Sequence, residues 1–398
     1  MTDPVTGAED QGPKLKVAVV GCGGIGNRHA AGYLATGRAE LVGVADVVRD
    51  RAEDYADRYH STAYGSAQEL LASQDPDLVS VSTPPDSHAE IAEQVLAAGH
   101  SVLMEKPPVL SLAELDRVTA AEQDSAGNAY VVFQHRHGSG AVRAHRLLSD
   151  GALGDPQVAV CETLWFRPRS YFDPDWRGTW TGEGGGPTLG HGIHQIDLML
   201  HLLGPWKTIN ATAVRLDRPV EFEDVSMATM IFENGAVGTM INSLLSPREL
   251  SRIRIDSTGG SLEVDHVYGY SDADWSFHPA PDAGTAASLG KNPGERTGVD
   301  HDQHSGPTDP WSASAGEDVP SNHQAQLTRL VDDLLAGRRH ATSVASTRPT
   351  MEFVTALYAS ALTGQPVDRA DLVPGHAFYD ALNGGVEQAK IDAALTLR

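Results

Sequence analysis

The chain has 398 residues, enough for two folded domains with buried cores. A formal charge of −23 excludes nucleic acid and anionic membrane surfaces as expected partners, because both would be repelled. The two cysteines, Cys22 and Cys161, cannot form a disulfide framework. No apolar run reaches membrane-spanning length, and residues 1–14, rich in Asp, Gly and Pro, lack a signal-peptide core, so a cytoplasmic location is expected.

From Lys14 short apolar runs alternate with helical segments. LKVAVV, ELVGVAD, DLVSVST, SVLMEK and AYVVFQ read as strands, with helices near Asn27–Ala35, Arg49–Tyr59, Ser87–Ala98 and Ser111–Glu122. Strand and helix in alternation imply βαβ units and a doubly wound parallel sheet over residues 15–137, after a disordered tail at 1–14. The texture then changes. TINATAVRL, VSMATMIFENG, AVGTMINSLL, SRIRIDSTGG and SLEVDHV are successive strands, the first hairpin turning at Asn234 and Gly235, and they describe a mostly antiparallel open sheet. Residues 138–370 are therefore expected to form an α+β domain for substrate binding and oligomerisation, with a long irregular insertion at 279–322 and a C-terminal tail at 371–398. Apolar stripes at Leu327, Leu330, Val331 and Leu334, and at Met351, Val354, Tyr358 and Leu362, mark two late core helices. The DHDQH stretch, Asp300 to His304, reads as a solvated acidic loop, because nothing nearby completes a rigid ligand set.

Gly21, Gly23 and Gly26 form G-x-G-x-x-G directly after a strand and at the opening of a helix, the context that fits a dinucleotide pyrophosphate. Gly24 and Ile25 complete that turn. Asp46, ending the second strand, is placed to accept from the adenosine ribose and favours NAD, while Arg49 nearby keeps NADP open. Thr83, Pro84 and His88 follow the DLVSVST strand at the carboxyl edge of the sheet, and Glu105 and Lys106 end the next, so these five are also assigned to the cofactor side.

A second constellation begins with Gly184, Gly185 and Gly186 and runs into an apolar helix carrying His191, His194, Asp197 and His201 on neighbouring turns of one face. Buried unpaired, each polar group would cost about 1 to 3 kcal/mol, so they must find partners or line a cavity. Three readings compete: a metal set from His191, His194 and Asp197, satisfied core histidines, and His194 as general acid or base. No metal is assigned.

The GCGGIG turn, the triplet Glu105, Lys106, Pro107, the GGG segment leading to His194 and Asp197, and HAEIAEQVLAAGHSVLMEKP together resemble the Gfo/Idh/MocA oxidoreductases from about Leu15 to about Gly364. The resemblance implies a Rossmann domain before a domain with a large open sheet, a bound nicotinamide dinucleotide, and oxidation or reduction of a secondary alcohol on a sugar or cyclitol. By position Lys106 would hydrogen-bond the reacting oxygen and His194 would move its proton. Expected substrate contacts are Lys106, Arg136, Trp176, Arg177, Trp180, His191 and His194. Inositol dehydrogenase relatives carry an aspartate where this chain has Gly190, which turns the expectation toward pyranosides or nucleotide sugars. The family also includes NAD-dependent glycosidases that oxidise transiently, and non-catalytic dinucleotide sensors. A homodimer or homotetramer is expected.

Overall fold

The computed structural model describes residues 12–280 and 309–396, which form two compact units. Asp300–His304 and most of the expected N-terminal tail lie outside the described residues.

The first unit comprises the chain to Pro108, Leu115–Val132 and His323–Ser346. Strands β1 (Leu15–Val20), β2 (Ala39–Ala45), β3 (Ala63–Tyr64), β4 (Leu78–Val81), β5 (Ser101–Met104) and β6 (Ala129–Val131) make a six-stranded parallel sheet ordered β3-β2-β1-β4-β5-β6. Strands β4 and β5 are buried at every residue, as sequences covered on both faces must be. Helices α1 (Gly24–Ala35), α2 (Arg49–Tyr59), α3 (Ala67–Ser73), α4 (His88–Ala97) and α5 (Leu112–Gln123) follow the strands. The order reverses between β1 and β4, and such a switch point opens a crevice at the strand carboxyl ends.

In the second unit the backbone runs through α6 (Ser139–Ser149), β7 (Pro156–Phe166), α7 (Ile193–Leu203), β8 (Trp206–Val214), β9 (Val225–Phe232), β10 (Val237–Ser243), β11 (Leu245–Ser257), β12 (Gly260–His266), β13 (Trp275–Pro279) and α8 (Pro310–Ala313). Helix α9 (His323–Leu335) belongs to the first unit, and α10 (Val344–Thr363), β14 (Val367–Asp368) and α11 (Gln388–Leu395) close the chain. The eight-stranded sheet is ordered β13-β12-β11-β7-β10-β9-β8-β14. Only the β7–β10 pair is parallel. The hairpin between β9 and β10 turns through Asn234 and Gly235, Gly235 at φ +89°. Burial alternates along β9, so one face is apolar and packed while Met227 and Ile231 stand exposed on the other.

Three expectations on domain limits need correction. The first unit does not end at residue 137, since Phe133 onward packs with the second unit, and it regains α9 from far along the chain. Leu327 of α9 sits where a β-carbon on Gly32 of α1 would fall, so the two helices meet almost backbone to side chain. Residues 371–396 are not a loose tail: Phe378, Tyr379, Leu382, Ile391 and Leu395 are buried, the last two with Ala213. The end of the expected insertion is also ordered, Trp311 stacking on Trp275 at 5.7 Å.

Candidate active site

In the first unit the glycine-rich turn leaves β1 and enters α1 at Gly24. The N-cap is Gly23, which has no capping side chain, so the first amides of α1 are left for a ligand. Nothing lies within 4 Å of where β-carbons on Gly23 and Gly24 would be, which gives the turn open space for a pyrophosphate. Gly26 is the opposite case. A β-carbon there would lie 2.0 Å from the Gly21 carbonyl oxygen, so only glycine lets the helix start this close to the strand end. Ile25 is partly exposed beside it.

Asp46 accepts from the Cys22 and Val48 amides, each at 2.8 Å, and these bonds aim its carboxylate at the turn, where lone pairs remain for ribose hydroxyls. Arg49 turns to Glu53 one helical turn on, at 3.1 Å. These features fit a dinucleotide with an unphosphorylated ribose.

At the carboxyl edge, the Thr83 hydroxyl accepts from Ser87 and Pro84 introduces a short 3₁₀ turn. His88, expected to touch cofactor, is buried instead, its ring nitrogens 2.9 Å from the carbonyl oxygens of Pro107 and Thr83. It braces the segment carrying Lys106. Glu105 also proves to be a brace: its Oε1 lies 3.0 Å from His29 Nε2 and 3.1 Å from His323 Nε2, while Oε2 accepts the Lys106 amide at 3.0 Å. Burial alone would raise the Glu105 pKa, but the hydrogen bonds from the two imidazoles hold it well below the usual carboxylate range. Ligand atoms of His29, Glu105 and His323 are close enough to hold a metal ion, yet the ring–carboxylate distances are those of hydrogen bonds. Partly buried Lys106 thus leaves a backbone pinned on both sides.

Sequence reasoning missed His29 and His323. His29 stands three residues after Gly26 on α1, a position the spacing could have flagged; His323 is 218 residues from Glu105 and gives no local signal.

In the second unit the glycines lead through Pro187 into one π-helical turn, Thr188–Gly192, before α7 begins. A single regular helix was expected. The extra residue in a π-turn rotates what precedes it, and such turns recur at functional sites. The four polar residues therefore do not share one environment. His191 lies between Trp165 and Tyr171, ring centroids 5.2 and 6.0 Å away. His194 is buried, stacked on His135 at 4.9 Å and edge-on to Phe133 and Tyr268. Gln195 Nε2 reaches His266 Nε2 at 3.0 Å and His135 Nδ1 at 3.4 Å, and burial depresses the His266 pKa to about 4.

Asp197 is held by Arg136 through Nε at 2.7 Å and Nη2 at 2.5 Å, and by Thr350 at 3.0 Å. This bidentate pair occupies the carboxylate that a metal set would need, and it engages the Arg136 guanidinium expected to contact substrate. His201 stacks on His145 at 4.1 Å, and burial pushes its pKa down to about 3, the behaviour of a core histidine.

Of the remaining expected contacts, Trp176 is exposed at 39%, Arg177 lies over the Tyr171 and Trp176 rings while pairing with Glu183, and Trp180 packs edge-on to Phe222 and Tyr358. A β-carbon at Gly190, the position where the resemblance to inositol dehydrogenases leads one to expect aspartate, would meet nothing within 4 Å.

Residues 15–133 match the model of an oxidoreductase family with an NAD-binding Rossmann fold, and residues 141–263 match the GFO/IDH/MocA C-terminal domain. The D-glucoside 3-dehydrogenase of Escherichia coli is 27% identical over 280 residues, spanning 64% of this chain and 78% of the relative. A UDP-N-acetylglucosamine 3-dehydrogenase from Acidithiobacillus ferrooxidans is 29% identical over 261 residues, 64% and 77% of the two chains. Among solved structures, the WlbA dehydrogenase from Bordetella pertussis, crystallised with NADH and UDP-GlcNAcA, superposes with a TM-score of 0.74 at 22% identity, covering 89% of this chain and 98% of that one. The strand order, the glycine turn and both matching models lead to one conclusion: the chain belongs to the Gfo/Idh/MocA family of NAD-binding oxidoreductases.

Proposed function

We propose that this enzyme oxidises or reduces a secondary alcohol of a sugar or glycoside, with Lys106 hydrogen-bonding the reacting oxygen and His194 moving its proton. The nicotinamide supplies the hydride chemistry. The protein's own part is to fix a cation and an imidazole. The cation is the Lys106 ammonium, which lowers the cost of negative charge on the oxygen as the O–H proton leaves. The imidazole ionises near neutral pH in its ordinary state and exchanges that proton. The observation that carries the reading is the double bracing of the Lys106 segment, by His88 on Pro107 and by the His29–Glu105–His323 bonds; surface charges at a strand end are not held this way.

The aromatic wall of Trp165, Tyr171 and His191 suits the apolar face of a pyranose ring, and two of the relatives act on glucosides or a nucleotide sugar. The open space at Gly190 leaves room for a ring substituent where inositol dehydrogenases have a carboxylate. The exposed apolar residues Met227, Ile231 and Val237 on the outer sheet face support a homo-oligomer built across that face.

The test is to follow nicotinamide absorbance with NAD and NADP against cyclitols, free sugars, glycosides and nucleotide sugars. Lys106→Ala and His194→Ala should each lower kcat on the best substrate by about a thousandfold while NAD still binds. Full activity in either variant refutes that residue's role. Product formation without net NADH would point to transient oxidation instead.

A further inference from the structure

Beneath the three glycines, and outside every role assigned above, lies a polar network with no access to solvent. Glu223, Thr188, Ser226 and Asn242 have no exposed surface and Tyr358 has almost none. Glu223 Oε1 accepts from the Thr188 hydroxyl at 2.8 Å, the Thr188 amide at 3.2 Å and the Tyr358 hydroxyl at 3.0 Å. Tyr358 in turn accepts the Gly186 amide at 3.0 Å. Behind Thr188 the chain of donors continues: Asn242 donates to Ser226 at 3.1 Å, and Ser226 lies 2.7 Å from the Thr188 hydroxyl. A β-carbon on Gly186 would lie 2.1 Å from the Glu223 carbonyl oxygen and 2.7 Å from its carboxyl carbon, so the glycine backbone is pressed onto this residue.

We infer that Glu223 is a positioning residue: through Thr188 and Tyr358 it clamps the glycine segment to the π-turn and so sets where His191 and His194 stand. The inference rests on the reading of His194 as the proton-transfer group. Its physical basis is that the amides opening a helical segment have no partner inside it and must be satisfied from outside. Glu223 and Tyr358 take the amides of Thr188 and Gly186, one inside the π-turn and one two residues before it. Glu223 Oε2 has no partner among the described residues, and a lone buried carboxylate oxygen is tolerated best when it carries the proton. In accord with this, burial raises the Glu223 pKa to about 7, against the opposing bonds from Thr188. The titratable group facing it from α10 is Tyr358, whose own ionisation burial drives far above neutrality. Asp224, next in the chain, is turned to the amides of Leu216, Asp217 and Arg218. The site is thus assembled with a neutral clamp and strained by a charged one.

The test compares Glu223→Gln, Glu223→Ala and Tyr358→Phe in the full-length protein by hydrogen exchange of residues 184–194 and by kcat and KM between pH 5.5 and 9. Glu223→Ala should speed exchange of that segment at least tenfold and lower kcat at least tenfold with NAD affinity unchanged. Glu223→Gln, which keeps an oxygen for Thr188 and Tyr358, should restore both to within threefold and lack the fall in kcat above pH 7 expected of the parent. Tyr358→Phe should speed exchange about as much as Glu223→Ala and serves where Glu223→Ala fails to fold. Unchanged exchange at 184–194 in Glu223→Ala or Tyr358→Phe overturns the inference. His194→Ala with full activity would sink the catalytic reading alone, and exchange would still judge the clamp.

Discussion

The burial of Glu223 makes a stability prediction with a definite sign. Its pKa stands near 7 in the folded protein against an ordinary 4.5, so between those values the folded state keeps a proton that the unfolded chain has released. Stability from this group is full below about pH 4.5, falls as pH rises, and is gone above about pH 7. A shift of about 2.5 pH units is worth about 3 kcal/mol, of which some 2 to 3 kcal/mol is lost between pH 5 and pH 8. Glu223→Gln cannot ionise and should abolish that component. All six tryptophans lie in the second unit, so tryptophan fluorescence during urea unfolding reports the unit that holds Glu223. The difference in unfolding free energy between pH 5 and pH 8 should shrink by about 2 kcal/mol in Glu223→Gln relative to the parent. An identical pH dependence in the two proteins would refute the reasoning.

Other expected outcomes concern the first unit. Gly26→Ala forces a β-carbon against the Gly21 carbonyl, so a loss of about 1 to 3 kcal/mol and of NAD binding is predicted, read by thermal melting with and without NAD. Asp46→Ala removes the acceptor of the Cys22 and Val48 amides; KM for NAD should rise about tenfold with little change for NADP, which steady-state kinetics checks. Glu105→Gln should loosen the Lys106 segment by about 2 kcal/mol at pH 7, seen as faster exchange of residues 101–106. Because the Glu105 pKa is depressed, that deficit is present above about pH 4.5 and fades as pH falls further.

What was legible in the sequence is what local periodicity and spacing encode. LKVAVV, DLVSVST and SVLMEK announce buried parallel strands because a sheet covered on both faces needs unbroken apolar runs, and G-x-G-x-x-G announces its turn because the geometry admits no β-carbon at Gly26. Lys106 at a strand end and His194 on an apolar helix were readable in the same way, and their catalytic roles are the ones proposed above. Tertiary structure decided their surroundings. PQVAVCETLWF was not read as a strand, yet β7 is interior to the large sheet and supplies its one parallel pairing. His191, Asp197 and His201 looked alike along a helix, but a π-turn, Arg136 and His145 divide them among three environments. Glu223, in EFEDV, received no assignment from the sequence, and only the fold buries it against Thr188 and Tyr358. A sequence fixes a residue's chemistry and its neighbours three or four positions away. Which partner satisfies a buried polar group depends on segments brought together from hundreds of residues apart, as His323 is brought to Glu105.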